Sequence, residues 1–264
     1  MTESEYRSHP ALNASRFKAF IRSPFHFENQ VDVETTEAMK IGTAIHTALL
    51  EPEIYASTIA FMPECDRRTT AGKQIAKEFE EQSVGKLILK HESEDVVIRA
   101  IDSVSRHLEW KTLKENQMHK ETIIIGEMFG IECKAKIDII DLKKNMIWDI
   151  KTCQDASAES FKYEVQDRLY WVQQAFYKML VEKHYGSKFG CGFIATETTE
   201  PSATAFHQVS EKELELWEDI VKYKLQQYIA CRATDVFPAY ESGILPELNL
   251  SKYKNKITKI DIQV

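Results

Sequence analysis

Two acids and a lysine, Asp138, Asp149 and Lys151, lie where side chains alternate in character. In 131–139 the odd positions Ile131, Cys133, Ala135, Ile137 and Ile139 are apolar, and the even positions Glu132, Lys134, Lys136 and Asp138 are polar. In 146–152 Met146, Trp148 and Ile150 alternate with Ile147, Asp149 and Lys151. Residues two apart share one face of a strand. Both stretches therefore read as strands, and pairing their apolar faces gathers Asp138, Asp149 and Lys151 on one side near the end of a hairpin. Two carboxylates on neighbouring strands suit a hard divalent cation such as magnesium. A lysine two residues beyond the second can orient or deprotonate a water, or stabilise charge developing on a phosphate. The same residues also describe a solvated hairpin face with a salt bridge.

Further candidates lie on helices and in a loop. Residues 166–183 space their apolar side chains as one long amphipathic helix, with Leu169, Val172, Phe176 and Leu180 on the buried stripe. Gln173 falls in that stripe and Tyr177 beside it, one turn on. They either aim over the sheet at the carboxylates or, in Gln173, supply a core amide that caps a strand end. His46 lies at the edge of the apolar arc of a helix over 38–50, as a ligand or as a hydrogen-bonded core residue, and Gly42 lets another chain segment approach closely. Arg67, Arg68 and Lys73, ahead of a helix, can grip phosphates or simply decorate a solvated loop. Glu127 and Glu132 are candidate helpers for a second cation, or solvated strand residues.

The elements that must position these groups run helices, strands, helices. Asn13 caps a short helix that stops near Pro24; 53–71 reads as a loop; 72–83 and 93–107 read as helices. Strands are expected at 122–125, 131–140, 146–152, 189–196 and 203–208, and Ser210 with Glu213 opens a helix over 210–231. The last thirty residues, with Pro238 and Pro246, read as irregular. The expected fold is mixed α/β, a central sheet flanked by helices with a helical N-terminal section. It forms a single domain over 1–264, with a core of about 10–231 and an extension over 232–264.

Composition narrows the function classes. The chain has 264 residues, with 34 Lys and Arg against 41 Asp and Glu, a formal net charge of −7. That balance argues against indiscriminate coating of nucleic acid, yet allows a local basic groove. No stretch is apolar for long enough to span a membrane, and the first residues lack a secretory pattern. Five scattered cysteines with no CxxC pair read as reduced thiols of a cytoplasmic protein and argue against an iron–sulfur cluster.

Taken in order, Gly42-Thr43-Ala44-Ile45-His46, Asp138, Asp149-Ile150-Lys151 and Gln173-Gln174-Ala175-Phe176-Tyr177 resemble the PD-(D/E)xK nuclease superfamily. Within it the chain is most similar to the RecB-like branch and its RecE-like (exodeoxyribonuclease VIII) and phage-type exonucleases. Leu12-Asn13-Ala14-Ser15, Ser23-Pro24 and the segment from Arg67 to Lys73 fit the same group, so the resemblance spans about residues 10–230. The proline of the superfamily's name is Ile137 here, and no helicase motif or phosphate-binding loop is present.

The resemblance implies that Asp138, Asp149, the carbonyl of Ile150 and the imidazole of His46 hold magnesium, with manganese as a substitute. It implies that Lys151 positions the attacking water while Gln173 and Tyr177 orient Lys151 or the scissile phosphate. The activity implied is 5′ to 3′ digestion of linear double-stranded DNA, processive within a homo-oligomeric ring (trimer or tetramer), leaving 3′ overhangs for a single-strand annealing protein. An endonuclease or a single-strand or flap-specific nuclease on the same core is the alternative, as is a non-catalytic scaffold that binds DNA ends.

Overall fold

The computed structural model describes residues 2–31 and 33–240. The chain opens with α1 (Glu3–Ser8), β1 (Leu12–Asn13), α2 (Ala14–Arg22) and α3 (Pro24–Glu28). Asn13 Oδ1 accepts the Arg16 amide (2.8 Å) and so caps α2; Ser23 ends it and Pro24 begins the next helix. Then come α4 (Glu37–Leu50), α5 (Pro52–Thr58), β2 (Ile59–Phe61), α6 (Thr70–Gln82), β3 (Leu87–Leu89), α7 (Ser93–Arg106) and α8 (Leu108–Glu115). The loop expected over 53–71 instead holds α5 and β2, and β2 pairs in parallel with β3. Three-residue strands show too little alternation to stand out in a sequence.

The second half is β4 (His119–Met128), β5 (Ile131–Asp141), β6 (Met146–Cys153), α9 (Ala158–Asp167), α10 (Tyr170–Tyr185), β7 (Gly190–Glu197), β8 (Thr204–Gln208) and α11 (Glu211–Thr234). The single helix expected over 166–183 is two. Leu169 sits at φ 53°, a left-handed backbone that breaks the helix, and Tyr170 starts the new one. Residues 235–240 fold back, where the Phe25 amide donates to the Pro238 carbonyl (3.0 Å). Of the extension expected over 232–264, residues 241–264, Pro246 among them, lie outside the described residues.

The sheet runs β1-β5-β6-β7-β8, with β4 on the other edge of β5. Its two faces bury separate cores. One gathers Phe17 and Phe20 of α2, Phe176 and Leu180 of α10 and Val221 and Leu225 of α11 against Ile137, Ile140 and Ile147. The other gathers Ile45 and Leu49 of α4 and Val97 and Val104 of α7 against Ile139, Ile150 and Ile194. Each such side chain contributes about 1.5–3 kcal/mol on burial.

This division corrects the single apolar face expected for 131–139. Ile137 packs in the first core and Ile139 in the second, so the alternation slips at Asp138. The cause lies in the pairing. β6 follows β5 only from Ile139↔Trp148 to Asp141↔Met146, whereas β1 pairs with Cys133 and Lys134. The β5 edge opposite β4 is therefore open from 135 to 138, and the sheet forks there. β4 pairs with β5 on either side of Glu121, at Lys120↔Ile139 and Thr122↔Ile137, while Glu121 itself sits at φ 48°.

Candidate active site

Asp138 and Asp149 occupy the first step beyond the last β5–β6 pair, facing each other across the fork. There Asp138 Oδ2 accepts the Ile150 amide (2.8 Å), so a side chain replaces the missing ladder bond. Its other oxygen lies 3.2 Å from His46 Nε2, which also stands 3.3 Å from Glu121 Oε1. His46 comes from α4, capped where Thr36 accepts the Met39 amide (3.3 Å). Gly42, one turn earlier, faces the Thr152 side chain of β6, 3.4 Å from where a Cβ would stand. That close approach brings α4 to the fork.

From the opposite face α10 supplies Gln173, whose Nε2 donates to Asp149 Oδ1 (2.6 Å). Asp149 Oδ2 is paired with Lys151. The neighbouring Gln174, rather than Gln173, is the buried core amide, donating to the Gly192 carbonyl (3.1 Å). Tyr177 packs against the first core, close enough to Asp149 and Asp138 to feel their charge. Burial, reinforced by those carboxylates, pushes its phenol far up, so it stays protonated.

The electrostatics are those of a crowded, largely buried cluster. Burial pushes Asp149 up, and the negative charge of Asp138 adds to this against the pull of Lys151. Asp138 goes the other way: burial would raise it, but His46 and Lys151 hold it below the usual carboxylate range. Burial alone would lower His46; the Asp138 carboxylate, with Glu121 and Asp149, lifts it to about 9. Burial would likewise lower Lys151, but Asp149 and Asp138 raise it, so it is held as an ammonium.

The sequence reading missed Glu121, Lys18 and Tyr170. Glu121 is paired with His46 and Lys136, and burial raises its carboxyl. Its left-handed backbone lies outside the ladder, so strand alternation gives no warning of it. Glu127 and Glu132, the acids that sequence singled out, face each other across β4 and β5 and are exposed. Lys18 of α2 donates to Gln173 Oε1 (3.1 Å). Its ammonium lies over the Tyr170 ring at 5.1 Å, and that of Lys151 over the same ring at 4.8 Å. A capped helix from the far end of the chain gave no hint of this.

His46, Glu121 and Asp138 offer ligand atoms within 4.8 Å of one another. One imidazole nitrogen and several carboxylate oxygens are a donor set suited to magnesium or manganese, so these residues fit a divalent cation. The phosphate-gripping loop is quieter than expected. Arg67 pairs with Glu80 (2.7 Å) and Arg68 with Asp66 (2.9 Å), and Lys73 stands in the first turn of α6. Among the described residues no helix is long and apolar enough to cross a membrane.

Residues 13–245 match the family model described as a PDDEXK-like domain of unknown function (DUF3799). A putative exonuclease from Eubacterium rectale has a similar solved structure, with a TM-score of 0.65 at 17% identity over 98% of each chain. A phage-related exonuclease from Haemophilus somnus 129PT aligns at 14% identity over 86% of this chain and 98% of its own, with a TM-score of 0.32. A search of curated proteins finds no match. The sheet forked at two acids, the helices that reach it from both faces and the model match over most of the length agree: the chain belongs to the PDDEXK-like family DUF3799.

Proposed function

We propose that this protein is a divalent-metal-dependent DNA exonuclease that hydrolyses phosphodiester bonds of linear double-stranded DNA. The observation that carries the reading is the meeting of His46, Asp138, Asp149, Lys151 and Gln173 at the fork. His46, Asp138 and Asp149, with the Ile150 carbonyl and Glu121, would hold the cation. A cation held there would supply neutralisation of charge on the phosphoryl oxygens and a more nucleophilic water.

The chain's own residues do the rest. Lys151 holds the water or a phosphoryl oxygen with its ammonium, and Asp149 fixes the direction of that ammonium. Gln173 holds Asp149 in place. Tyr177, protonated, offers a hydroxyl donor toward the scissile phosphate. Arg67 and Arg68, once released from Glu80 and Asp66, would guide the DNA backbone together with Lys73. On the same reading digestion runs 5′ to 3′ and processively within a trimeric or tetrameric ring. It leaves 3′ single strands for an annealing protein in the cytoplasm of a bacterial or phage-infected cell.

The test is degradation of linear duplex labelled at the 5′ end in one tube and at the 3′ end in another, with magnesium or EDTA. A covalently closed circle is the control. Early release of 5′ label in magnesium alone, with the circle intact, is the expected result. A cut circle points to an endonuclease. Binding without cleavage in magnesium or manganese points to a scaffold.

A further inference from the structure

Lys18 is a second ammonium at the edge of the site. Its neighbours are the Gln173 oxygen (3.1 Å) and the Tyr170 ring (5.1 Å), and neither carries a full negative charge. The contrast with Lys151 is direct: Lys151 lies against the same ring but is matched by Asp149. An ammonium has three donors, and Gln173 takes one. Gln173 cannot turn over to offer more, because its amide nitrogen is committed to Asp149. Two cations thus stand against one tyrosine, with a single carboxylate between them. Burial, with repulsion from Lys151 and against the pull of Asp149, draws Lys18 down to about 8, and an anion beside it would oppose that fall.

The geometry points to Lys18 as a substrate-contacting residue that binds a non-bridging oxygen of the phosphodiester held at Lys151, with Tyr170 setting the spacing of the two ammonium groups. This deepens the nuclease reading and rests on it for the reaction. The phosphate contact itself can be tested without any cleavage.

The variants are Lys18→Met, with a flexible chain of similar length and no charge, and Lys18→Arg, which keeps the charge. Binding of a short 5′-phosphorylated duplex is followed in EDTA by fluorescence anisotropy across a salt series. Removing one phosphate contact reduces the slope of log affinity against log salt by about 1. That reduction is expected for Lys18→Met, with the wild-type slope kept in Lys18→Arg. In magnesium, Lys18→Met is expected to lose about 10²-fold in kcat, the effect of removing one donor to developing charge, with a smaller change in KM.

A wild-type slope in Lys18→Met overturns the inference. If kcat still falls, Lys18 acts only by holding Gln173; if nothing falls, it has no role. Wild-type protein that binds but never cleaves sinks the nuclease reading, while a reduced slope in Lys18→Met still upholds the contact. Wild-type protein that does not bind at all overturns the contact. Should Lys18→Met fail to fold, Lys18→Gln serves as the uncharged variant under the same criteria.

Discussion

The Asp138 carboxylate takes the Ile150 amide across the gap where β5 and β6 part, so one side chain both closes the sheet and faces His46. The two jobs separate by substitution. Asp138→Asn keeps an acceptor for the amide and should lose more than about 10²-fold in turnover at nearly wild-type stability. Asp138→Ala leaves the amide buried and unbonded, an added cost of about 1–3 kcal/mol. Thermal melts beside the duplex assay check this; equal melting of both variants would refute the structural half.

Gln173 donates to Asp149 from another element, α10, and on the proposed reading it orients a metal ligand. Gln173→Leu should weaken magnesium affinity by about 10–100-fold, the usual effect of removing a partner that holds a metal ligand. Titrating magnesium against rate measures it. A shift in maximal rate alone would place Gln173 on the phosphate instead.

Glu121 joins two effects at one residue, a left-handed backbone and a carboxylate beside His46. Glu121→Ala and Glu121→Gly should lose metal affinity alike. Glycine adopts that backbone freely, so the glycine variant should be the more stable by about 1 kcal/mol. Denaturant melts in EDTA decide it; an alanine variant as stable as the glycine variant would show that the conformation costs nothing.

The fork can be disturbed from a distance. Trp148, half of the last β5–β6 pair, lies on Gly192 of β7, where an added Cβ would fall 2.3 Å from the indole and 2.9 Å from the His207 carbonyl. Gly192→Ala should cost about 1–3 kcal/mol by overpacking and also lower turnover, because the displaced Trp148 carries Ile139 with it. Retained activity in a destabilised variant would uncouple the two.

Acid should loosen α10 from β7. Burial would raise Glu182, but Lys178 (2.7 Å) and the Phe189 amide (2.9 Å) hold it below its ordinary 4.5. A carboxylate depressed in the folded state adds stability above its unfolded value, lost as pH falls through the lower folded one. Wild-type protein should therefore lose more stability below about pH 4.5 than Glu182→Gln does. Melts across pH 3–6 check the sign.

The hairpin and its acids were legible because strand alternation is local, and the apolar spacing marked the later helices well. The break at Leu169 was not, since apolar spacing runs through it unchanged. The place of Asp138 on its strand was legible, but not the slip beside it, because the fork depends on where β1 and β6 pair. Lys18 meets Gln173 across 155 positions, a separation over which no periodicity carries information.

The fork also makes the site a joint between two separately packed halves. His46 arrives with the core of α4 and α7, Gln173 with that of α2 and α10, and neither half holds a complete set of groups. Loosening either layer separates these groups before the whole chain unfolds, and they meet only when both layers have docked. If the protein is the nuclease proposed above, competence is thereby made conditional on finished folding.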